Sequence, residues 1–111
     1  MIPSTVRIFV CTEPQDMRRS FDGLALATQE VLHEDPQSGA LFCFVNKRAN
    51  RLKILWWDTN GYCLLYKRLH RAAFILPGSP GERSIRIDGS ELAKIIAGVA
   101  RERRRRCRVN T

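Results

Sequence analysis

The chain has 111 residues, 44% of them apolar, with 7 Gly, 5 Pro and a formal net charge of +8. That length suits one domain with a core of its own and leaves no room for a large catalytic architecture, while the composition excludes collagen-like, low-complexity and wholly disordered chains. No apolar run approaches the roughly 20 residues that span a bilayer and the N-terminus lacks a signal-peptide pattern, so the expectation is a cytoplasmic protein with no membrane partner.

Residues 6–10 predict a short strand. Pro14 breaks the chain beyond that strand, and Asp16 suits a helix N-cap. Phe21, Leu24, Ala25, Thr28, Val31 and Leu32 recur at helical spacing and predict one buried face. Gly23 within that helix suggests close packing on a sheet. Asp35-Pro36 ends the helix, because a residue before Pro is biased away from helical geometry. Residues 41–45 form a continuous apolar run of strand length. A basic turn at 46–50 leads to a strand at 52–57, on which Leu52, Ile54 and Trp56 share one face and Lys53, Leu55 and Trp57 the other. Leu65, Leu69 and Ala72 fit a helix as well as a strand, but Asn60-Gly61 predicts a hairpin turn and favours residues 62–69 returning as an antiparallel strand.

Residues 77–81 form a loop, and a last short strand is expected at 84–87. Asp88 and Glu91 have capping-box spacing. Leu92, Ile95, Ile96 and Val99 then give the buried stripe of a second helix. This order predicts an α+β fold: a single compact domain over residues 1–100, with a mostly antiparallel sheet of four or five strands and two packed helices. Residues 101–111 have no apolar stripe and are expected to form a basic, flexible tail.

Charge is unevenly distributed. Residues 1–46 carry three basic and six acidic side chains, residues 47–71 seven basic and one acidic, and residues 101–111 six Arg and one Glu. Two basic blocks point to an anionic partner, most often nucleic acid. The four cysteines, at 11, 43, 63 and 107, have no Cys-x-x-Cys spacing and only His33 and His70 to complement them, which argues against a structural metal site. Cys43 and Cys63 suit the core, while the arginines around Cys107 favour its thiolate.

Several strings are jointly specific. Asp16-Met17-Arg18-Arg19-Ser20-Phe21-Asp22-Gly23-Leu24 is followed in order by Asp35-Pro36-x-Ser38-Gly39-x-Leu41-Phe42. Asn46-Lys47-Arg48-x-Asn50-Arg51-Leu52-Lys53-Ile54-Leu55-Trp56-Trp57-Asp58 comes next, then Gly61-x-Cys63-Leu64-x-Tyr66-Lys67-Arg68-Leu69. Across about residues 5–98 the chain resembles the small TnpB-type accessory proteins, encoded by the second open reading frame, of the insertion sequence 66 family. The resemblance implies a role in transposition beside a separate, larger transposase, and brings no catalytic residue or cofactor with it. Leu76 departs from the aromatic residue that members often carry before the proline matched by Pro77. The arginine-rich tail lies beyond the shared motifs, so its function rests on charge.

Asp16, Asp22, Asp58 and Asp88 are poor candidates for a catalytic metal cluster, since Asp16 and Asp88 suit helix caps and Asp58 a turn. Asp22 has no such simple role. Tyr66, Arg68, His70 and Arg71 have the residue types of a tyrosine recombinase, but such close spacing fits a basic sheet face better. There is no Walker A loop and no Gly-x-Gly-x-x-Gly. No catalytic residue, metal ligand or cofactor is therefore assigned.

The expected function is non-enzymatic binding of transposon DNA in aid of the transposase. Lys47, Arg48, Arg51 and Lys53 would meet phosphate from the basic hairpin. Lys67, Arg68 and Arg71 would extend that surface, and Arg103, Arg104, Arg105 and Arg106 would add an electrostatic arm. The alternative is an adaptor that docks on the transposase through Trp57, Tyr62 and Tyr66. Homo-oligomerisation is left open.

Overall fold

The structure is a computed structural model that describes residues 5–78 and 81–101. In chain order the elements are β1 (Ile8–Cys11), α1 (Phe21–Glu30), β2 (Leu41–Val45), β3 (Arg51–Asp58), β4 (Gly61–Arg68), β5 (Ala72–Ala73), β6 (Ser84–Ile87), α2 (Gly89–Ala97) and β7 (Val99–Ala100). Five strands form one sheet in the order β4-β3-β2-β1-β6, and β5 and β7 pair as a small separate ribbon. β1 and β2 run parallel, joined through α1, and every other pairing is antiparallel. The fold is thus α+β, with two helices and a mostly antiparallel five-stranded sheet. Among the described residues no helix is long and apolar enough to cross a membrane.

Both faces of the sheet are covered, which explains the unbroken apolar runs of β1 and β2. On one face Ile8, Val10, Cys43, Val45, Leu52 and Ile54 pack with Leu92 and Ile95 of α2 and with Phe74. On the other, Phe9, Cys11, Phe42, Phe44 and Leu55 pack with Leu24 and Ala27 of α1. Full burial of a side chain such as Leu92 stabilises by about 1.5–3 kcal/mol. Thr28 is buried under α1 and donates its hydroxyl to the Leu24 carbonyl at 2.8 Å, so the helix satisfies it internally. The Asp88 carboxylate accepts from the Glu91 N–H at 2.8 Å, and the Glu91 carboxylate accepts in return from the Asp88 N–H at 3.1 Å. This is the capping box the spacing predicts.

Several local expectations are corrected. The first helix starts at Phe21 behind Ser20, and Asp16 does not cap it. Asp16 instead accepts from the Arg18 N–H at 2.9 Å. The carbonyls of Met17 and Arg19 are taken by the Lys53 ammonium and not by helical N–H groups. Phe21, expected inside, is 43% exposed. The space above Gly23 is filled by the Arg19 side chain, whose Cβ stands 3.0 Å from where a methyl would be, rather than by the sheet. The β3–β4 turn falls one residue early: Asp58 pairs with Gly61, so Thr59 and Asn60 are its central residues, and Thr59 takes the positive φ of 51°. Gly98, at φ 72°, ends α2 before Val99 can join its stripe; Val99 pairs with Ala73 and is exposed.

Candidate nucleic-acid interface

Parallel neighbours send the chain out at the same end of a sheet. The segment after β1 and the turn after β2 therefore emerge side by side, beyond the carboxyl ends of their strands, where α/β sheets commonly leave a crevice. The Gln15 N–H donates to the Val45 carbonyl at 3.0 Å and ties the two together. Between them lies an open groove of about 440 Å³, lined by Gln15, Asp16, Met17 and Arg18 on one side and by Asn46, Lys47, Arg48 and Arg51 on the other.

The turn is braced from within. The Asn46 side-chain carbonyl accepts from the N–H groups of Asn50 and Arg51 at 3.0 and 2.9 Å, and its amide donates to the Asn50 side chain at 2.8 Å. Asn46 thereby makes the chain reverse while Lys47 and Arg48 stay exposed. Across the groove, Asp16 grips Arg18 through two guanidinium nitrogens, at 2.6 Å to Nη2 and 3.0 Å to Nε. The Arg18 side-chain hydrogen bonds are the largest cause holding the Asp16 carboxyl down at about 2. Among the described residues the groove therefore presents four cations around a single carboxylate. Among the described residues Lys47, Arg48, Arg51, Arg68 and Arg71 take part in no salt bridge.

The structure separates the other predicted residues. Arg68 lies opposite Arg51 on β4, next to the groove. Lys53 is only 6% exposed; its Nζ donates to the Met17 and Arg19 carbonyls at 2.8 and 2.7 Å and sits 4.8 Å from the Tyr66 ring centre. It is turned away from any surface a phosphate could reach and holds the Arg18 segment over the sheet. Lys67 points to the other face and donates to the Ile96 carbonyl at 2.8 Å, near the C-terminus of α2 where a cation is favourable. Arg71, at φ 58°, accepts the Arg101 N–H on its own carbonyl at 3.0 Å.

The three aromatic candidates do not form one patch. Trp57 meets Tyr62 edge-on near the hairpin tip, with ring centres 5.0 Å apart. Tyr66 lies at the groove end of β4, where its hydroxyl accepts from Arg51 Nη1 at 2.7 Å. Trp56 faces the α2 side and lines an apolar groove of about 370 Å³ with Val6, Leu41, Ile54, Leu65 and Ile96. Asp22 gains a plain role in the first turn of α1, where a carboxylate faces the positive end of the helix. Among the described residues no group of three or more His, Cys, Asp and Glu side chains could hold a metal ion. Cys11 and Cys43 are buried, and burial raises both thiols, Cys43 to about 12. Arg103, Arg104, Arg105, Arg106 and Cys107 lie outside the described residues.

Two contributors escape a linear reading of the chain. Arg18 is separated from Arg48 by the whole of α1 and β2, and only the parallel β1–β2 pairing brings them to one groove. Arg101 returns to the same place: its Nη2 donates to the Arg48 carbonyl at 2.9 Å, which fastens it beside the basic turn.

The family model for IS66 Orf2-like proteins matches residues 6–106. It runs past the stretch of resemblance at about residues 5–98 and takes in Arg103–Arg106, so most of the basic tail belongs to the shared region. Two relatives from Sinorhizobium fredii (strain NBRC 101917 / NGR234), both described as uncharacterized, are similar over most of their length. Protein y4hO is 40% identical over 101 residues, covering 89% of this chain and 87% of the relative. Protein y4jC is 34% identical over 94 residues, covering 85% and 80%. No solved structure matches the chain.

Proposed function

The chain belongs to the IS66 Orf2-like family of transposition-associated accessory proteins, and from that premise we propose that it binds the DNA of its element without catalysis and assists a separate transposase. The observation that carries this reading is the convergence of Arg18, Lys47, Arg48 and Arg51 on one open groove, with Asp16 as the lone carboxylate among the described residues of its lining. Their guanidinium and ammonium groups offer charge-assisted hydrogen bonds to phosphate oxygens. Such contacts position a protein on a duplex and carry little sequence information. Arg68 widens the basic surface from β4. The arginines at 103, 104, 105 and 106 follow shortly after Arg101 in the sequence and add positive charge to the chain there.

Engagement of about five phosphates makes log affinity fall with log salt at a slope of roughly −4 to −5. Titration of a labelled duplex at several salt concentrations tests this. The Lys47→Glu/Arg48→Glu double variant keeps the turn, because Asn46 and not these side chains holds it, and should flatten the slope by about two units. A wild-type protein that binds no DNA, or a double variant with unchanged affinity and slope, overturns the reading.

A second reading, an adaptor that docks on the transposase, is favoured by one observation: Trp56 and the half-exposed Leu65 border an apolar groove on the face away from the cations. Strong capture of purified transposase in the absence of DNA, lost on Leu65→Glu, would put this role first.

A further inference from the structure

We propose that the groove prefers single-stranded over duplex nucleic acid, with Tyr66 as the platform on which an unpaired base stacks; this rests on the DNA-binding reading above. Tyr66 is 48% exposed on β4, an outer strand of the sheet. Its orientation is fixed from two directions. Arg51 Nη1 donates to the hydroxyl at 2.7 Å, and the Lys53 ammonium stands 4.8 Å from the ring centre. Lys53 is itself immobilised by the Met17 and Arg19 carbonyls. A ring held this way loses little conformational entropy when a ligand arrives.

Arg51 joins the ring to the groove, since it lines the groove and binds the tyrosine hydroxyl with the same side chain. A strand whose phosphates lie along Lys47, Arg48 and Arg51 brings its bases past Tyr66, with Arg68 opposite Arg51 to meet a further phosphate. Exposed aromatic rings beside a basic track are the means by which proteins hold single strands without reading sequence. In a duplex the base faces are already stacked on their neighbours, so Tyr66 adds nothing there. The expected selectivity is on the order of tenfold, the effect of one base–aromatic stack.

The experiment measures binding of a labelled single strand and of a duplex of equal length, at one salt concentration, by wild type, Tyr66→Phe and Tyr66→Leu. Wild type should bind the single strand more tightly. Tyr66→Leu and Tyr66→Phe both lack the hydroxyl that Arg51 binds, so relative to Tyr66→Phe the Tyr66→Leu variant, which cannot stack, should lose about tenfold on the single strand and nothing further on the duplex. Tyr66→Phe should retain the single-strand preference. Photocrosslinking of wild type to a bromouracil-containing single strand needs no variant, and the adduct should map to Tyr66. Equal affinity of wild type for the two forms, equal losses on both in Tyr66→Leu relative to Tyr66→Phe, or adducts that avoid Tyr66 would overturn the inference while leaving phosphate binding in place. Failure of wild type to bind either form would remove both.

Discussion

Arg51 and Arg68 stand directly opposite each other across β3 and β4, and among the described residues neither takes part in a salt bridge. Like charges in facing positions work against strand pairing. The sheet carries the cost because the rest of the register is well matched, with Ile54 against Leu65 and Leu55 against Leu64. Departures of this kind from local consistency tend to mark places kept for function. Here the pair borders the groove.

Arg51→Glu turns that repulsion into a cross-strand ion pair. The variant gives up the exposed hydrogen bond from Arg51 to the Tyr66 hydroxyl, whose loss to water costs little, and should still gain up to about 1 kcal/mol of stability in urea denaturation from the pair. Its affinity for duplex DNA should fall in the same preparation, because a groove cation has become an anion. Opposite signs in the two measurements separate function from folding. A variant that loses stability and affinity together would make Arg51 a support of the fold.

Lys53 supports a different prediction. Its ammonium satisfies two carbonyls that no other described group reaches. Lys53→Met keeps most of the stem and removes the donor, leaving the Met17 and Arg19 carbonyls without it. Loss of such a buried contact costs about 1–3 kcal/mol. The melting temperature should drop, and trypsin should cut faster at Arg18 and Arg19 once their segment is released. Unchanged cleavage at those two sites would show that the segment is held by other contacts.

Periodicity made the sheet and both helices legible, since β2, β3 and α2 announce themselves through apolar spacing and the Asp88–Glu91 box. Local propensity failed where a tertiary contact overrode it. Asp16 looks like a cap, yet Lys53, far along the chain, occupies the carbonyls that a helix through Met17 and Arg19 would use. Asn60-Gly61 looks like the centre of a turn, yet the Asp58–Gly61 register moves it to Thr59-Asn60. The candidate site was half visible. Lys47, Arg48 and Arg51 are consecutive enough to stand out, whereas Arg18 and Arg101 join them through strand order and a returning terminus. Lys53 and Lys67 have the right charge in the sequence, and only packing shows their ammonium groups committed to backbone carbonyls.

The capping box sets a pH dependence. The Glu91 N–H, then the Ser90 hydroxyl, hold the Asp88 carboxyl below its ordinary value of 3.8. A depressed folded-state value means the stabilisation is present above the unfolded value and is lost as pH falls through the folded one. Asn caps helices well but does not titrate. Asp88→Asn should therefore melt somewhat below wild type at neutral pH, with the gap closing as pH falls below 3.8. A gap that stays constant over that interval would show that the carboxylate charge at Asp88 is irrelevant to α2.

The junction of fold and tail allows a final separation. Arg101 is fastened by its own N–H to the Arg71 carbonyl and by its guanidinium to the Arg48 carbonyl, at 3.0 and 2.9 Å. Ending the chain after Arg101 keeps both bonds and removes five arginines and one glutamate. Stability should stay within about 0.5 kcal/mol of wild type, because both bonds that fasten Arg101 remain. The salt slope for duplex binding should become shallower by up to about four units, one for each net charge removed. Adding Arg101→Ala to the shortened chain releases the guanidinium bond to the basic turn, and melting should then begin earlier with little further change in slope. A shortened chain with the wild-type slope would assign the salt-sensitive contacts to the groove alone, and Arg18, Lys47, Arg48 and Arg51 would have to account for all of them.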